Sequence, residues 1–360
     1  MKANFESIQE RIRQVKGIVE AKSKNVVIFL VINTKMDYEA EENGDYEEFS
    51  IKSEYFSEKE LKEVVNGFEA LGCKVDVSTS ERIFINKLAN NGFKEYEGME
   101  RIVYYSSGSG TGKSRSAVVP ALCNLYGIKN CSNDIYTSVL LENKVHLFNL
   151  LDYYGFPIPR TWYYDRLEGW LHGEPVNDLL LIAKPAYESS SIGVTDKSVA
   201  MFSPEYQKYV HQLSESLQQP ILVQEFIKGY EVEVPLFDMG DQPFTPMTVG
   251  IKIKDSENLG ADFLTYAKVY DDQYKFYSFT KFKPGLCEEM KKVARDSFMK
   301  LNLYGMTRVD FRVTEDGSCY IMDYNNNPHL TEFHSCAFSV MDLGFSYSDM
   351  LCLLLYKYVV

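Results

Sequence analysis

A chain of 360 residues with 45% hydrophobic content is long enough for two or three domains with cores of their own. Its net charge of −13 argues against nucleic acid as the main partner, yet leaves room for a nucleotide, which needs only a local basic pocket. Met1 to Lys24 is charged throughout, no long apolar run follows and the seven cysteines show no CxxC spacing, so no signal peptide, no membrane span and a reduced, cytoplasmic protein are expected.

Residues 4–22 pattern as a charged amphipathic helix and Asn25 to Ile32 as an apolar strand. The acidic stretch from Met36 to Phe49 (Asp37, Glu39, Glu41, Glu42, Asp45, Glu47, Glu48) reads as a solvated loop. Ser57 and Glu60 form a capping box that opens a helix ended by Gly72, and Lys74–Ser78 and Arg101–Ser106 follow as strands. This order predicts an α/β domain with a mostly parallel sheet. The stretch Ser107-Gly108-Ser109-Gly110-Thr111-Gly112-Lys113-Ser114 then nearly matches the phosphate loop of P-loop NTPases. Ser107 stands at its first glycine position, and no later strand-end aspartate is evident to complete the site. The plainer reading is a Gly/Ser turn ahead of a helix that starts near Ser114.

A helix over 138–154 carries Lys144 and stops at Gly155-Phe156-Pro157-Ile158-Pro159. Leu179 to Ala183 is an apolar strand running into Lys184-Pro185. After it, Glu188 to Val194 is a small-residue loop whose hydroxyls and amides can close over phosphate oxygens. Ser203-Pro204 opens another helix. Ile221–Ile227 and Glu231–Phe237 are strands joined through Lys228-Gly229. The stretch from Thr265 to Pro284 reads as loop, 286–301 as a helix and 336–356 as one apolar helix.

Between those last two helices, Arg308 to Pro328 reads as a hairpin turning at Asp316-Gly317. A two-residue turn sets Val313 opposite Tyr320, Phe311 opposite Met322 and Val309 opposite Tyr324 on an apolar face. On the other face Asp310 meets Asp323, and Arg308 meets Asn325. Facing carboxylates destabilise a sheet unless a cation joins them, and oxygen donors suit magnesium. The bland reading is a solvated hairpin face; Arg308 and Asn325 beside the pair favour a metal–phosphate site.

In this order the stretches resemble the ATP-grasp superfamily, and most closely the D-alanine–D-alanine ligase family, over roughly residues 120–345. The resemblance implies α/β and α+β architecture: a doubly wound N-terminal (pre-ATP-grasp) domain at 1–134, a central lobe at 135–222 and a C-terminal lobe at 223–360. ATP would lie between the two lobes. Lys144 and Lys184 match the family's phosphate-binding lysines. Glu188-Ser189-Ser190-Ser191-Ile192-Gly193 matches its EGSSVG loop. Gln224-Glu225-Phe226-Ile227-Lys228-Gly229-Tyr230-Glu231 matches its adenine hinge, with Phe226 and Ile227 on the base, Gln224 at its amino group and Glu231 on the ribose. Arg308-Val309-Asp310-Phe311 and Asp323-Tyr324-Asn325-Asn326-Asn327-Pro328 match RVDF and ExNxxP, which implies magnesium, with manganese as substitute, on Asp310, Asp323 and Asn325. Arg308, Lys268 and Ser190 fall at the reaction centre.

Four departures stand out. Asp323 replaces a glutamate, His329 a glycine and Val269 the tyrosine of the lid. The N-terminal motif GGxSxExxVS, which supplies an acid for the first substrate's amine, is absent, and Val31-Ile32-Asn33-Thr34 with the acidic loop stands in its place. The resemblance therefore implies an ATP-dependent ligase that joins two small amino-acid or peptide substrates through an acyl phosphate, with a homodimer admitted. The alternatives are a P-loop-type kinase or NTPase using Gly108–Ser114, or a non-catalytic ATP-binding protein.

Overall fold

The computed structural model describes residues 2–35, 54–108, 113–176 and 178–360. The acidic stretch 36–49 and positions 109–112 of the Gly/Ser-rich loop lie outside the described residues. The N-terminal part runs α1 (Lys2–Lys22), β1 (Val26–Ile32), α2 (Glu58–Ala70), β2 (Lys74–Ser78), α3 (Glu81–Ala89), β3 (Glu100–Ser106), α4 (Val118–Tyr126) and β4 (Lys129–Asn130). Its sheet is parallel in the order β2-β1-β3-β4. Every residue of β1 is buried, as a strand covered on both faces requires. Ile28, Leu30 and Ile32 pack with α1 and α2, while Val27, Phe29 and Val31 pack with α3 and α4. The Ser57–Glu60 capping box is present at the start of α2.

The expected single helix over 138–154 is two: α5 (Ile135–Glu142) and α6 (Lys144–Tyr153). Asn143 breaks them with φ −106° and ψ 87°, and its side chain caps α6 by accepting from the His146 N–H. The antiparallel second sheet is built from β5 (Thr161–Asp165), β6 (Gly169–Leu171), β7 (Leu180–Pro185), β8 (Val199–Met201) and, after α7 (Pro204–Leu217), β9 (Ile221–Glu225). Its strand order is β6-β5-β9-β7-β8.

The third sheet is also antiparallel. It comprises β10 (Tyr230–Asp238), β11 (Pro243–Phe244), β12 (Val249–Ile253), β13 (Tyr274–Ser278), β14 (Thr307–Val313) and β15 (Cys319–Asn326), with β13-β12-β10-β14-β15 as its main order. The stretch expected as loop over 265–284 instead holds α8 (Tyr266–Tyr270), strand β13 and α9 (Phe279–Phe282), ahead of α10 (Pro284–Lys300). Alternating Tyr274, Phe276 and Ser278 meet Ile253, Ile251 and Val249 of β12, so tertiary pairing makes a strand of a Lys/Tyr-rich segment. The apolar C-terminal stretch is likewise two helices, α11 (Ser335–Met341) and α12 (Tyr347–Val359), because Gly344 takes φ 89° between them.

The β14–β15 hairpin differs from expectation twice, and the differences cancel. Thr314 N–H donates to Ser318 O and Gly317 takes φ 94°, so the loop has one residue more than a two-residue turn. Val313 therefore faces Cys319 and Phe311 faces Ile321. A bulge at Met322 then restores the register, so Asp310 faces Asp323 and Arg308 faces Asn325. Ile321 takes the core place expected for Met322, and Met322 turns toward a cavity.

Candidate active site

The strand register builds the floor of that cavity. Glu233 of β10, Asp310 of β14 and Asp323 of β15 form one row across three strands, flanked by Glu231 with Arg312 and by Arg308 with Asn325. Successive inward residues of β14 lie roughly 6.8 Å apart, so Arg312, Asp310 and Arg308 mark out the length of a cleft of about 740 Å³.

A row of three carboxylates is tolerable only with cations against it. Lys144 donates to both oxygens of Asp323 at 2.7 and 2.8 Å. Burial acts to raise the Asp323 pKa, but Lys144 and Lys184 outweigh it and hold the carboxyl below its ordinary range. Arg308 grips Asp310 through two hydrogen bonds, 2.7 and 2.8 Å, and reaches Glu233 at 3.2 Å. Asn325 Nδ2 donates to Asp310 Oδ2 at 2.7 Å. Burial drives the Glu233 carboxyl well above the carboxylate range, and its Oε2 has no hydrogen-bond partner.

The two lysines owe their places to backbone breaks. Because α6 starts afresh at Asn143, the Lys144 N–H can donate to Ala186 O at 3.0 Å, just past the end of β7. Lys184, near the end of β7, donates to the carbonyl of the bulged Met322 at 3.0 Å, and burial pushes its pKa down to about 8 against the pull of Asp323. Beside them the 188–193 loop turns through Ser190 (φ 50°) and Ser191 (φ 58°), a left-handed pair that non-glycine residues adopt only under constraint. Gly193 (φ 78°) closes the turn so tightly that a Cβ there would stand 2.5 Å from Pro185 Cγ.

Phe226, Ile227, Ile182 and Met322 line the apolar end of the cleft. Arg312 lies over the Phe226 ring at 5.5 Å and pairs with Glu231 at 3.0 Å. Gly229 lets the hinge lie against the hairpin, since a Cβ there would meet Val313 O at 2.0 Å.

Of the residues singled out from sequence, Lys144, Lys184, Glu188, Ser190, Ser191, Phe226, Ile227, Glu231, Arg308, Asp310, Asp323 and Asn325 all line the one cleft. Two do not. Lys268 bonds Asp262 and, at 2.9 Å, Phe263 O; the α8 turn holds it off the lining. Gln224 is completely buried behind the lining, donating to Thr161 Oγ1 at 3.2 Å, with its carbonyl oxygen unpartnered. Lys113 of the Gly/Ser-rich loop is exposed and absent from the cleft, although Gly108 lines it and donates its N–H to Asn33 Oδ1.

Other lining residues had no signal in the sequence. Arg115 pairs with Glu188 of the phosphate loop at 3.1 Å and with Glu54 at 3.5 Å, and Ser189 donates to the same Glu54. The N-terminal acid motif is missing, yet Glu60 and Glu63 of α2 line the cleft. Only the fold brings these groups together.

Among the described residues no cluster of three or more His, Cys, Asp or Glu side chains could hold a metal. The hairpin donors, two carboxylates and an amide carbonyl, are all hard oxygens on one face and fit magnesium in type.

Fold and site together define an ADP-forming ATP-grasp ligase, an enzyme that joins a carboxylate to an amine at the expense of ATP. A family model described as "D-ala D-ala ligase C-terminus" matches residues 154–356, over half the chain, and the chain belongs to that family. It is 25% identical over 246 residues to a D-alanine–D-alanine ligase of Geotalea uraniireducens (strain Rf4), covering 64% of this chain and 71% of that protein. Among solved structures it is similar in fold to the D-alanine–D-alanine ligase of Bacillus anthracis complexed with ATP (TM-score 0.65, 16% identity, 92% of this chain and 97% of that one). The VanG D-Ala:D-Ser ligase of Enterococcus faecalis gives a TM-score of 0.61 at 16% identity, over 92% of this chain and 99% of the other.

Proposed function

We propose that the cleft binds ATP with its base against Phe226, Ile227 and Met322 and its phosphates over Lys144 and Lys184, and that it joins two amino-acid-like substrates through an acyl phosphate. The observation that carries this reading is the meeting of the two lysines, from α6 and β7, on the Met322–Asp323 segment of β15.

In the first step a substrate carboxylate oxygen attacks the γ-phosphorus, the bond to the β-phosphate oxygen breaks and ADP leaves. In the second an amine attacks the acyl carbon, the carbon–oxygen bond to phosphate breaks, inorganic phosphate leaves and the nitrogen sheds its surplus protons. Positioning and charge neutralisation do most of the work in phosphoryl transfer. Magnesium, or manganese, would be held by Asp310, Asp323 and Asn325 and would supply neutralisation of the phosphate oxygens. Lys144 can exchange Asp323 for phosphate oxygens, which frees that carboxylate. Arg308, paired with Glu233, would meet the tetrahedral oxyanion. Ser190 and Ser191 offer amides and hydroxyls above the phosphates.

The P-loop alternative is not favoured, because Lys113 is exposed and absent from the lining of the cleft. No described helix is long and apolar enough to cross a membrane. All seven cysteines are free and six are buried, which suits the cytoplasm; a homodimer is proposed on family grounds alone. The test is ADP release from ATP and magnesium with pairs of D- and L-amino acids. Wild-type protein should release ADP with at least one pair, and Lys184→Ala should not. ATP binding without ADP release for any pair would sink the proposal.

A further inference from the structure

One side of the cleft, near Arg308, is a wall of rings. His329 and His334 stack at 4.3 Å, and His334 meets the edge of Phe333 at 5.9 Å. Phe333 leans on Tyr274 and Phe276 at 6.5 and 6.3 Å, and those two meet at 5.5 Å. Phe56 backs the wall, stacked on His329 at 4.0 Å. Apart from Phe56, all these rings line the cleft, and Phe333 is 52% exposed. Burial keeps both imidazoles neutral, holding His329 down to about 3 and His334 well below its ordinary range, so the wall carries no charge. Glu60 and Glu63 of α2 line the same cleft; Glu60 accepts from the Ser57 N–H and Oγ through Oε2 and Glu63 from the Glu332 N–H through Oε1, which leaves each carboxylate a second oxygen for a substrate ammonium.

A methyl side chain would leave most of this surface wet. The half-exposed Phe333 ring, backed by partly covered rings in a concave site, offers the apolar area and edge-to-face geometry that another ring completes, with centroids about 4.5–7 Å apart. We propose that the amino-acid substrate whose ammonium meets Glu60 and Glu63 carries an aromatic side chain, which packs on Phe333, Tyr274 and His334. The proposal rests on the ligase reading above and narrows its substrate class.

Burying a ring of phenylalanine size is worth on the order of a 10- to 100-fold preference over a methyl group. The test is ADP release with each of phenylalanine, tyrosine, alanine and serine, in both chiralities, as either partner. An aromatic amino acid in one position should exceed alanine there by at least about tenfold in kcat/KM. Phe333→Ala, at a half-exposed position where folding is not at stake, should collapse that ratio toward one. Turnover confined to alanine or serine, or a ratio unmoved by Phe333→Ala, overturns this inference and leaves the ligase intact. Silence with every pair, in protein that still binds ATP, overturns both.

Discussion

At the scale of single residues the site is a set of exchangeable ion pairs. Opposed carboxylates alone would make Asp310→Asn stabilising, but the Arg308 clamp reverses that. The variant replaces one of the two acceptors of a buried guanidinium by an NH2 group and removes its charge partner, leaving Glu233 as the nearest carboxylate. Asp310→Asn is therefore expected to cost about 1–3 kcal/mol of stability and at least about 100-fold in kcat. Denaturant melts and ADP-release kinetics check the two halves separately; a gain in stability, or full turnover, would contradict it. The lysines divide in the same way. Lys184→Ala should raise the ATP dissociation constant by about 10- to 100-fold, as loss of a charge-assisted contact implies. Lys113→Ala, outside the cleft, should leave it within about twofold. Calorimetric titration with ATP and magnesium decides, and the reverse pattern would move the nucleotide to the Gly/Ser-rich loop.

At the scale of elements, the site depends on interruptions more than on regular structure. Capping signals such as Ser57–Glu60 and Ser203-Pro204 were legible in the sequence because each rests on a local hydrogen bond. The facing of Asp310 with Asp323 was legible too, although the turn was read one residue short; the Met322 bulge compensates, and no local pattern announces a bulge. Asn143 was illegible for a similar reason. Helical propensity runs through 138–154, and the docking of the Lys144 N–H on Ala186 O, together with the Asn143 cap, stops the helix there. Strand β13 was missed because its partner β12 decides its conformation. Roles taken from the resemblance fared unevenly: Lys268 and Gln224 match family motifs yet stand off the lining, while Arg115 and Glu54 match none and line it. Asn143→Ala removes the α6 cap, so it should cost about 1 kcal/mol and weaken ATP binding several-fold by letting Lys144 turn away from Asp323. Thermal melts beside ATP titrations test this, and unchanged ATP affinity would show that the break does not place the lysine.

At the scale of the whole molecule, contacts distant in sequence tie the N-terminal sheet to the C-terminal lobe. Helices α1 and α12 share one core, and Lys22 donates to Val359 O. The Phe56–His329–His334 stack joins the entry to α2 with the segment after β15. Both imidazoles are largely covered, each lies close to Thr331 Oγ1, at 3.4 and 2.6 Å, and each has a cation nearby, Lys35 for His329 and Arg308 for His334. Burial, with Lys35 beside it, holds the His329 pKa down to about 3. Burial, His329 and Arg308 hold His334 well below its ordinary value, against a weaker pull from Glu60. The unfolded chain, with histidines near 6.5, binds these protons first. The stability due to the neutral pair is therefore present above about pH 6.5 and is lost as pH falls below it toward the folded values. Between pH 7 and pH 5 the His329 imidazole should cost on the order of 2 kcal/mol, and His334 should add in the same direction. The thermal midpoint should drop steeply over that window, before most carboxylates titrate. The double variant His329→Gln/His334→Gln should be less stable at pH 7 but markedly flatter between pH 7 and pH 5. A wild-type midpoint that stays level down to pH 5 would show that these histidines take up protons without unfolding, and that the stack does not hold the two parts of the chain together.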